Sequence, residues 1–399
     1  MSNGSKLSSV GLAARVAWHI LRENSAPGGA TVTDPGQVPP SANALTPEWL
    51  TRVLCVGESA AEVVEFDVVG GSDGTSSRRG LTVTYNQAGR LANLPEAFFT
   101  KSTATFASRL LLGLTEIGEG ESQFYSIARH QVELRSPRAY YAQYDPRTYR
   151  SFVVLEDLAA QGWTFPNPLE HRVNRSDAED IVCELAAYHG AFWNSPRFDR
   201  DLNRLKGAHE WQANLNRKVG FEKRTLTGLR RASAVVPAEL LSRAREVYPA
   251  FMRSLELHDQ GPRTLLHQDV HLGNWLRDPE GRMGLYDWQC VAVGNWALDY
   301  SYAMACCLDT NDRRLWEKEL LELYLERLRS AGVAQPPTFD EAWLAYRQQP
   351  LHALVFGLFT LGGSRFEPEL QPRDYTLWAI RRIAQHVADL ETLDALRGR

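Results

Sequence analysis

The chain has 399 residues, 44% hydrophobic and 23% charged, with a formal net charge of -4. That is enough apolar material for one large core or two smaller ones, and the mild acidity supplies no basic surface for nucleic acid. No run approaches the roughly 18 apolar residues of a membrane span. Residues 351–362 are the longest such stretch, and they are interrupted by His352. The five cysteines, Cys55, Cys183, Cys290, Cys306 and Cys307, show no C-x-x-C or metal spacing. Scattered thiols in odd number point to packing roles and a reducing, cytoplasmic setting.

Near the start, Ala13, Val16, Ala17, Ile20 and Leu21 recur at helical spacing, and Arg15, His19 and Arg22 interrupt the opposite face. That pattern predicts an amphipathic helix and argues against a signal-peptide core. Residues 24–43, rich in Pro, Gly, Ser and Thr, read as a linker, so 1–43 is set apart as an appendage that packs on the body or on a second subunit. The body restarts at Thr46-Pro47, an N-cap followed by a first-turn proline, with a helix to about Val56. Strands are expected at 63–69 and 81–85, separated by Gly70-Gly71-Ser72-Asp73-Gly74-Thr75-Ser76-Ser77. Glycines in such a turn let backbone amides approach phosphates closely, so Gly71, Gly74, Thr75 and Ser76 are candidate nucleotide contacts. An ordinary hairpin turn has the same composition. Phe98-Phe99-Thr100-Lys101 is the third strand, ending in a lysine. Residues 139–144 and 152–158 form a hairpin around Asp145-Pro146-Arg147-Thr148.

Beyond 158 the pattern is helical. Ser176-Asp177-Ala178-Glu179 reads as a capping box, and further helices are expected at 315–328, 340–360 and 375–390. The helical pattern is broken at Leu266-His267-Gln268-Asp269-Val270-His271-Leu272-Gly273-Asn274-Trp275 and Tyr286-Asp287-Trp288-Gln289. Apolar flanks on both segments predict short strands entering and leaving a loop, and Asp278-Pro279-Glu280-Gly281 is turn chemistry. The H-x-D-x-x-x-x-N spacing is that of a phosphotransfer catalytic loop, and a second Asp follows where a metal ligand would fall. Such chemistry needs a carboxylate at the acceptor hydroxyl, here Asp269, and an Asn and an Asp on Mg²⁺, here Asn274 and Asp287. His271 either touches the acceptor or packs in the loop. Cys290, three residues after Asp287, either lines the site or packs as a small buried residue, the second being the ordinary role of a free thiol.

These motifs resemble the aminoglycoside phosphotransferase superfamily, which includes choline kinases and ecdysteroid-kinase-like proteins. The pattern H-G-D-x-H-x-x-N, I-D-W-E/Q and a G-D-x-x-x-D-L-like segment is met by His267-Gln268-Asp269, Asn274, Asp287-Trp288-Gln289 and Gly294 to Tyr300. Gln268 replaces the usual Gly and Gln289 the commoner Glu. The resemblance implies an α+β, bilobal, protein-kinase-like fold. An N-terminal antiparallel sheet (44–158) covers the nucleotide, and a larger, mainly helical C-terminal lobe (159–399) carries catalysis and acceptor binding. It implies ATP and Mg²⁺ as cofactors, with Lys101 on the phosphates. The E-x-x-F-Y match at Glu121 makes that residue the lysine's partner, with Glu116 and Glu119 as rivals. It makes the run Phe152 to Leu158 the inter-lobe hinge, with backbone groups near Glu156 to Leu158 reading the adenine edge, and it gives Asp299 the part of propping the catalytic loop. His189, in an L-x-x-x-H-x-x-x-W match, is read as a buried, satisfied imidazole.

The expected activity is transfer of the ATP γ-phosphate to a hydroxyl of a small-molecule alcohol. Trp343, Tyr346, Leu351, Leu354, Phe356, Phe359 and Trp378 on late helices are either plain core or the wall of a pocket for a neutral or apolar acceptor. Glu367, Glu369 and Asp374 leave a cationic acceptor, and so an aminoglycoside phosphotransferase proper, open. A catalytically silent nucleotide-binding scaffold would have lost a metal ligand or base. A protein kinase would carry an A-P-E segment after Asp287. Neither pattern is met.

Overall fold

The computed structural model describes residues 3–25, 31–74, 76–115, 117–364 and 371–398. The chain divides into two compact units, Met1–His130 with Pro137–Gly162, and Gln131–Ser136 with Trp163–Arg399.

The first unit is built on an antiparallel sheet, β1 (Val63–Asp73), β2 (Ser77–Tyr85), β3 (Ala97–Ser102), β4 (Ala139–Asp145) and β5 (Arg150–Glu156), in the order β1-β2-β3-β5-β4. The unbroken apolar run Phe152-Val153-Val154 explains the interior place of β5, since all three are fully buried between β3 and β4. One face packs on the helix Pro47–Leu54, whose Trp49 meets Tyr141 edge-on at 4.7 Å and joins Leu81, Val83, Phe98 and Phe152 in one core. Thr46 Oγ1 caps this helix, accepting from the Trp49 amide at 3.2 Å.

Strands β1 and β2 run further toward the glycine turn than their apolar residues predicted. Gly70 and Gly71 lie inside β1, at a register break between Val69 and Ser72, with φ of 53° and 121°. A Cβ on Gly71 would sit 2.1 Å from the Arg78 carbonyl oxygen. These glycines therefore form a bulge in the ladder. The turn itself shrinks to Gly74–Ser76, closed by the Gly74 amide donating to Ser76 O at 3.1 Å, and Thr75 lies outside the described residues. The N-terminal helix, Asn3–Asn24, packs on the helix Phe106–Thr115 with Val16 fully buried, although Leu21, expected on the same face, is exposed. Glu23 anchors its end through Arg109 at 2.6 Å and Arg150 at 2.9 Å.

The second unit is helical around two small ladders, β6 (Thr264–Leu266) with β9 (Ala292–Gly294) and β7 (Trp275–Arg277) with β8 (Met283–Leu285). Its helix Arg175–Ala191 starts earlier than expected. Asn174 is the cap and Asp177 closes the box, each side chain taking the other's backbone amide, so Ser176 sits inside the first turn. The helix expected over 340–360 is two, Phe339–Gln348 and Leu351–Leu361. Pro350, which has no amide to donate, stands at the break. Among the described residues no helix is long and apolar enough to cross a membrane.

Candidate active site

Leu265, Leu266 and Trp275 are buried at 0–1% exposure, so the segment between β6 and β7 is clamped at both ends by packing. Within it the buried His267 ring accepts the Asp269 amide on Nδ1 at 3.2 Å, and its Nε2 lies 2.9 Å from the Tyr286 carbonyl oxygen. Those partners require the neutral tautomer with the proton on Nε2, and burial pushes the His267 pKa down in agreement. Gln268 has φ of 63°, a left-handed conformation that costs most side chains about 1 kcal/mol or more. This is the position where the resemblance places glycine. The conformation is held from both sides: the Gln268 amide donates to Asp299 Oδ1 at 2.9 Å, and its carbonyl oxygen lies 2.9 Å from His352 Nε2.

Asp299 is the anchor of the loop. It is fully buried near the start of the helix Ala297–Cys307, and Oδ2 accepts from the His267 amide at 2.6 Å and the Tyr188 hydroxyl at 2.7 Å. Burial by itself pushes this carboxyl up. The His189 imidazole edge at 3.6 Å, His267 and the Tyr188 hydroxyl outweigh it and hold the pKa below the usual value. His189 is buried, with Nδ1 2.8 Å from the Tyr324 hydroxyl.

Both Asp269 carboxylate oxygens are engaged. Asn274 Nδ2 donates to Oδ2 at 3.2 Å and to the Asp269 carbonyl at 2.7 Å, and the Tyr302 hydroxyl donates to Oδ1 at 3.3 Å. With its nitrogen committed, Asn274 has its amide oxygen left to offer a cation. The Asp269 side chain still keeps 21% of its surface open, so the carboxylate is held and accessible at once. His271 Nε2 stands 3.7 Å from Asp269 Oδ1, while its Nδ1 accepts the Gly273 amide at 3.0 Å and lies 2.8 Å from the Tyr375 hydroxyl. Asp287 follows β8 with φ of 65°, and the next residue, Trp288, is buried with Nε1 donating to Ser136 Oγ at 2.9 Å. Asn274 and Asp287 are oxygen donors of the kind Mg²⁺ takes, one or two protein ligands with water and phosphate oxygens completing the shell. Among the described residues no cluster of three His, Cys, Asp or Glu side chains offers an all-protein metal cage.

In the first unit, Lys101 Nζ lies 2.5 Å from Glu121 Oε1, and both side chains are buried. Glu121 does not open a helix, since helical residues precede it from Ile117 on, and the helix passes into a π turn at Phe124–Ala128. The glycines at 118 and 120, poor helix formers, obscure the helical residues before Glu121 in the sequence. Glu119 is half-buried, and Glu116 lies outside the described residues. Of the glycine-turn candidates, Gly71 sits in the bulge, and Ser76 is buried beside Gly74. At the end of β5, Glu156 spends its amide on Arg138 O and its carboxylate on the Arg138 amide, while the Leu158 carbonyl accepts from Gln161.

Tyr302, Tyr188 and Tyr375 carry contacts the motif reading missed. Tyr302 was findable, because it stands three residues after Asp299 and so on the same helix face. Tyr375 arrives from a distant helix and leaves no such trace. Of the late apolar residues, Tyr346, Leu351 and Leu354 are fully buried core, and Phe359 is stacked on Phe221 at 3.8 Å. Trp343, Phe356 and Trp378 are half-buried. Cys290 is half-buried too, not the enclosed packing residue expected. Asp374 is exposed, and Glu367 and Glu369 lie outside the described residues.

A model described as "Phosphotransferase enzyme family" matches residues 118–352, more than half of the chain, a span that includes Glu121, Asp269, Asn274, Asp287 and Asp299. The chain belongs to that family. Among curated proteins nothing matches the sequence of this phosphotransferase. Solved structures similar to it include a choline kinase from Streptococcus pneumoniae, 13% identical, covering 85% of this chain and 97% of that one with a TM-score of 0.46. A microcompartment-associated aminopropanol kinase is 16% identical over 82% and 91% with a TM-score of 0.47. An ethanolamine kinase of Plasmodium vivax is 12% identical over 82% and 83%, again with a TM-score of 0.47. At such identities the acceptor of each remains a property of that protein.

Proposed function

We propose that the protein transfers the γ-phosphate of ATP to a hydroxyl group of a small neutral or apolar molecule, in a Mg²⁺-dependent reaction. The observation that carries this reading is the Asp269 carboxylate, held through both oxygens by Asn274 and Tyr302 on a loop pinned by Asp299, yet still open to solvent. A general base must sit within hydrogen-bond reach of the proton it takes, in a fixed orientation. In this role Asp269 accepts a hydrogen bond from the acceptor hydroxyl, aligns its oxygen on the γ-phosphorus, and receives the proton late in transfer. The bond from the γ-phosphorus to the bridging oxygen breaks, and ADP leaves. Lys101, oriented by Glu121, sets a positive charge on the nucleotide phosphates. Backbone groups at Gly71, Gly74, Thr75 and Ser76 cover them, and the chain at Glu156 to Leu158 receives the adenine. Asn274 and Asp287 would hold Mg²⁺, which when bound neutralises charge on the phosphate oxygens.

The neutral acceptor is supported by what faces Asp269, namely the Tyr302 hydroxyl, the Asn274 amide and the His271 ring. A buried cation set among such groups would lack a carboxylate partner other than the base itself. ADP release, measured across sterols, acyl alcohols, macrolides and kanamycin-like amines, tests the reading. Turnover of a neutral alcohol that falls roughly 10²–10⁴-fold in Asp269→Ala is the expected result. Efficient turnover of a polyamine sugar removes the acceptor assignment. Turnover unchanged in Asp269→Ala removes the base.

A further inference from the structure

Two adjacent arginines, Arg78 and Arg79, open β2 just after the glycine turn, and strand alternation sends them to opposite faces of the sheet. Arg79 shares its face with Leu81 and Val83, which lie in the core around Trp49. Its guanidinium is spent within the hairpin, on Asp73 at 3.1 Å and on the carbonyl oxygens of Ser72 at 3.2 Å and Arg78 at 2.7 Å. Arg78 is half-buried and directly opposite Lys101 in the register of β2 and β3. Cross-strand partners share a face, with Cβ atoms about 4.5–5.5 Å apart. Arg78 therefore stands beside the lysine, on the face that carries the buried Lys101–Glu121 pair.

Like charges directly opposite each other destabilise a sheet. Glu121, 2.5 Å from Lys101, offsets one of the two. The ladder itself offers nothing to offset the other, because the neighbours of Arg78 on that face, Ser72, Gly80 and Phe99, carry no carboxylate. The same register fixes the height of Arg78 on the sheet. Leu81, Phe98 and Glu156 form one row across β2, β3 and β5, and Arg78, Lys101 and Val153 form another, three residues nearer the glycine turn. Three residues of strand span about 10 Å. A base received at Glu156 therefore extends its phosphates toward the level of Arg78.

We propose that Arg78 is a further phosphate-binding residue of the nucleotide site, and that it makes the site select nucleoside di- and triphosphates over monophosphates. This role rests on the ATP reading above and adds to it a residue outside the motifs. Lys101 brings little net charge by itself, because Glu121 neutralises it, whereas a Mg²⁺-loaded triphosphate still carries negative charge on its oxygens. Arginine suits the task, since its planar fork of N–H donors grips phosphate oxygens in pairs and keeps its charge. Phosphate held between Arg78 and Lys101 also relieves the repulsion built into the sheet at this pair.

Calorimetric titration of AMP, ADP and ATP, each with Mg²⁺, into the full chain tests the proposal, with Arg78→Gln, Arg78→Lys and Lys101→Met beside the parent. Expected in Arg78→Gln is binding of ADP and ATP weakened about tenfold or more, AMP affinity within about threefold, and partial recovery in Arg78→Lys. The nucleotide-free urea midpoint of Arg78→Gln should hold at or above that of the parent, since a like-charge contact has gone. An arginine with a purely structural part would lower it. ADP and ATP affinities within about twofold of the parent in Arg78→Gln, when Lys101→Met has lost them, overturn the role of Arg78 and leave the nucleotide site standing. Equal weakening of all three nucleotides together with a lowered urea midpoint overturns it as well. If the parent binds none of the three, the ATP reading and the role of Arg78 fall together.

Discussion

Replacing Asp299 by asparagine separates a positioning role from a merely structural one. The carboxylate has three acceptor contacts, Oδ1 with the Gln268 amide and Oδ2 with the His267 amide and the Tyr188 hydroxyl. An asparagine side chain keeps one acceptor oxygen. If that oxygen takes the Oδ2 position, the buried Gln268 N–H meets an amide NH₂. The reverse orientation strands two donors instead of one. A stranded buried donor costs about 1–3 kcal/mol, and the bonds that survive lose charge assistance, which roughly halves their strength. The total is about 3 kcal/mol. Its mechanical effect falls on Gln268, whose left-handed backbone is held only by this bond and by His352 among the described residues. Relaxation there moves Asp269, the next residue, and a displacement of about 1 Å at a reacting group costs about 100-fold in rate. Steady-state ADP release at saturating ATP and a urea melt measure the two effects. Tyr188→Phe is the control: it removes one contact of about 1 kcal/mol and leaves both backbone bonds. The reasoning is refuted if Asp299→Asn keeps kcat within about threefold of the parent, or if Tyr188→Phe loses as much.

Lys101→Met leaves Glu121 buried without its lysine and should destabilise the first unit by about 3–5 kcal/mol in a urea melt. Lys101→Met with Glu121→Leu should recover much of that loss. In ATP titrations, Mg²⁺ should tighten binding at least about tenfold, and Asp287→Asn should erase most of the gain. Equal affinity with and without the ion would remove the metal assignment. His267, His352 and His386 are buried, and burial lowers the pKa of each below the ordinary histidine value of about 6.5, with Arg313 adding to the effect on His386. The native state therefore binds fewer protons than the unfolded chain below about pH 6.5, so stability is intact above that pH and falls beneath it, by up to about 1.4 kcal/mol per pH unit for each histidine. Melts from pH 8 to pH 5 should show the decline, and His386→Leu should flatten it. An unchanged slope would assign the protons elsewhere.

What could be read from residues alone was whatever local physics determines. The loop residues Asp269, Asn274 and Asp287 sit between β-strands because Leu265, Leu266, Trp275 and Leu285 form apolar runs too short for helices. The Thr46-Pro47 start was equally plain, since cap and first-turn proline are chemistry of adjacent residues. Elsewhere two local signals competed. Asn174 and Ser176 both offer caps three residues before an acid, and nothing in the sequence ranks them. Gly70 and Gly71 read as a turn because a bulge has the same composition. Tyr375 on His271 and Ser136 on Trp288 join residues more than 100 positions apart, and no local pattern encodes such a pair.

The six residues Gln131–Ser136 belong to the second unit although β4 and β5, which follow them, belong to the first. Arg135 grips Glu184 at 2.6 Å and Asp278 at 3.1 Å, and its carbonyl accepts the Leu285 amide. No single cut of the chain therefore yields the second unit whole. A fragment starting at Trp163 would leave Glu184 buried without its arginine, Leu285 without its acceptor and Trp288 without Ser136. On the ribosome the same connectivity makes these six residues wait for more than a hundred later ones, whereas β3, the other pairing partner of β5, precedes the β4–β5 hairpin in the chain. A graft of this chain's second unit would have to carry two segments at once, and one made at Trp163 alone would lose the Arg135 and Ser136 contacts.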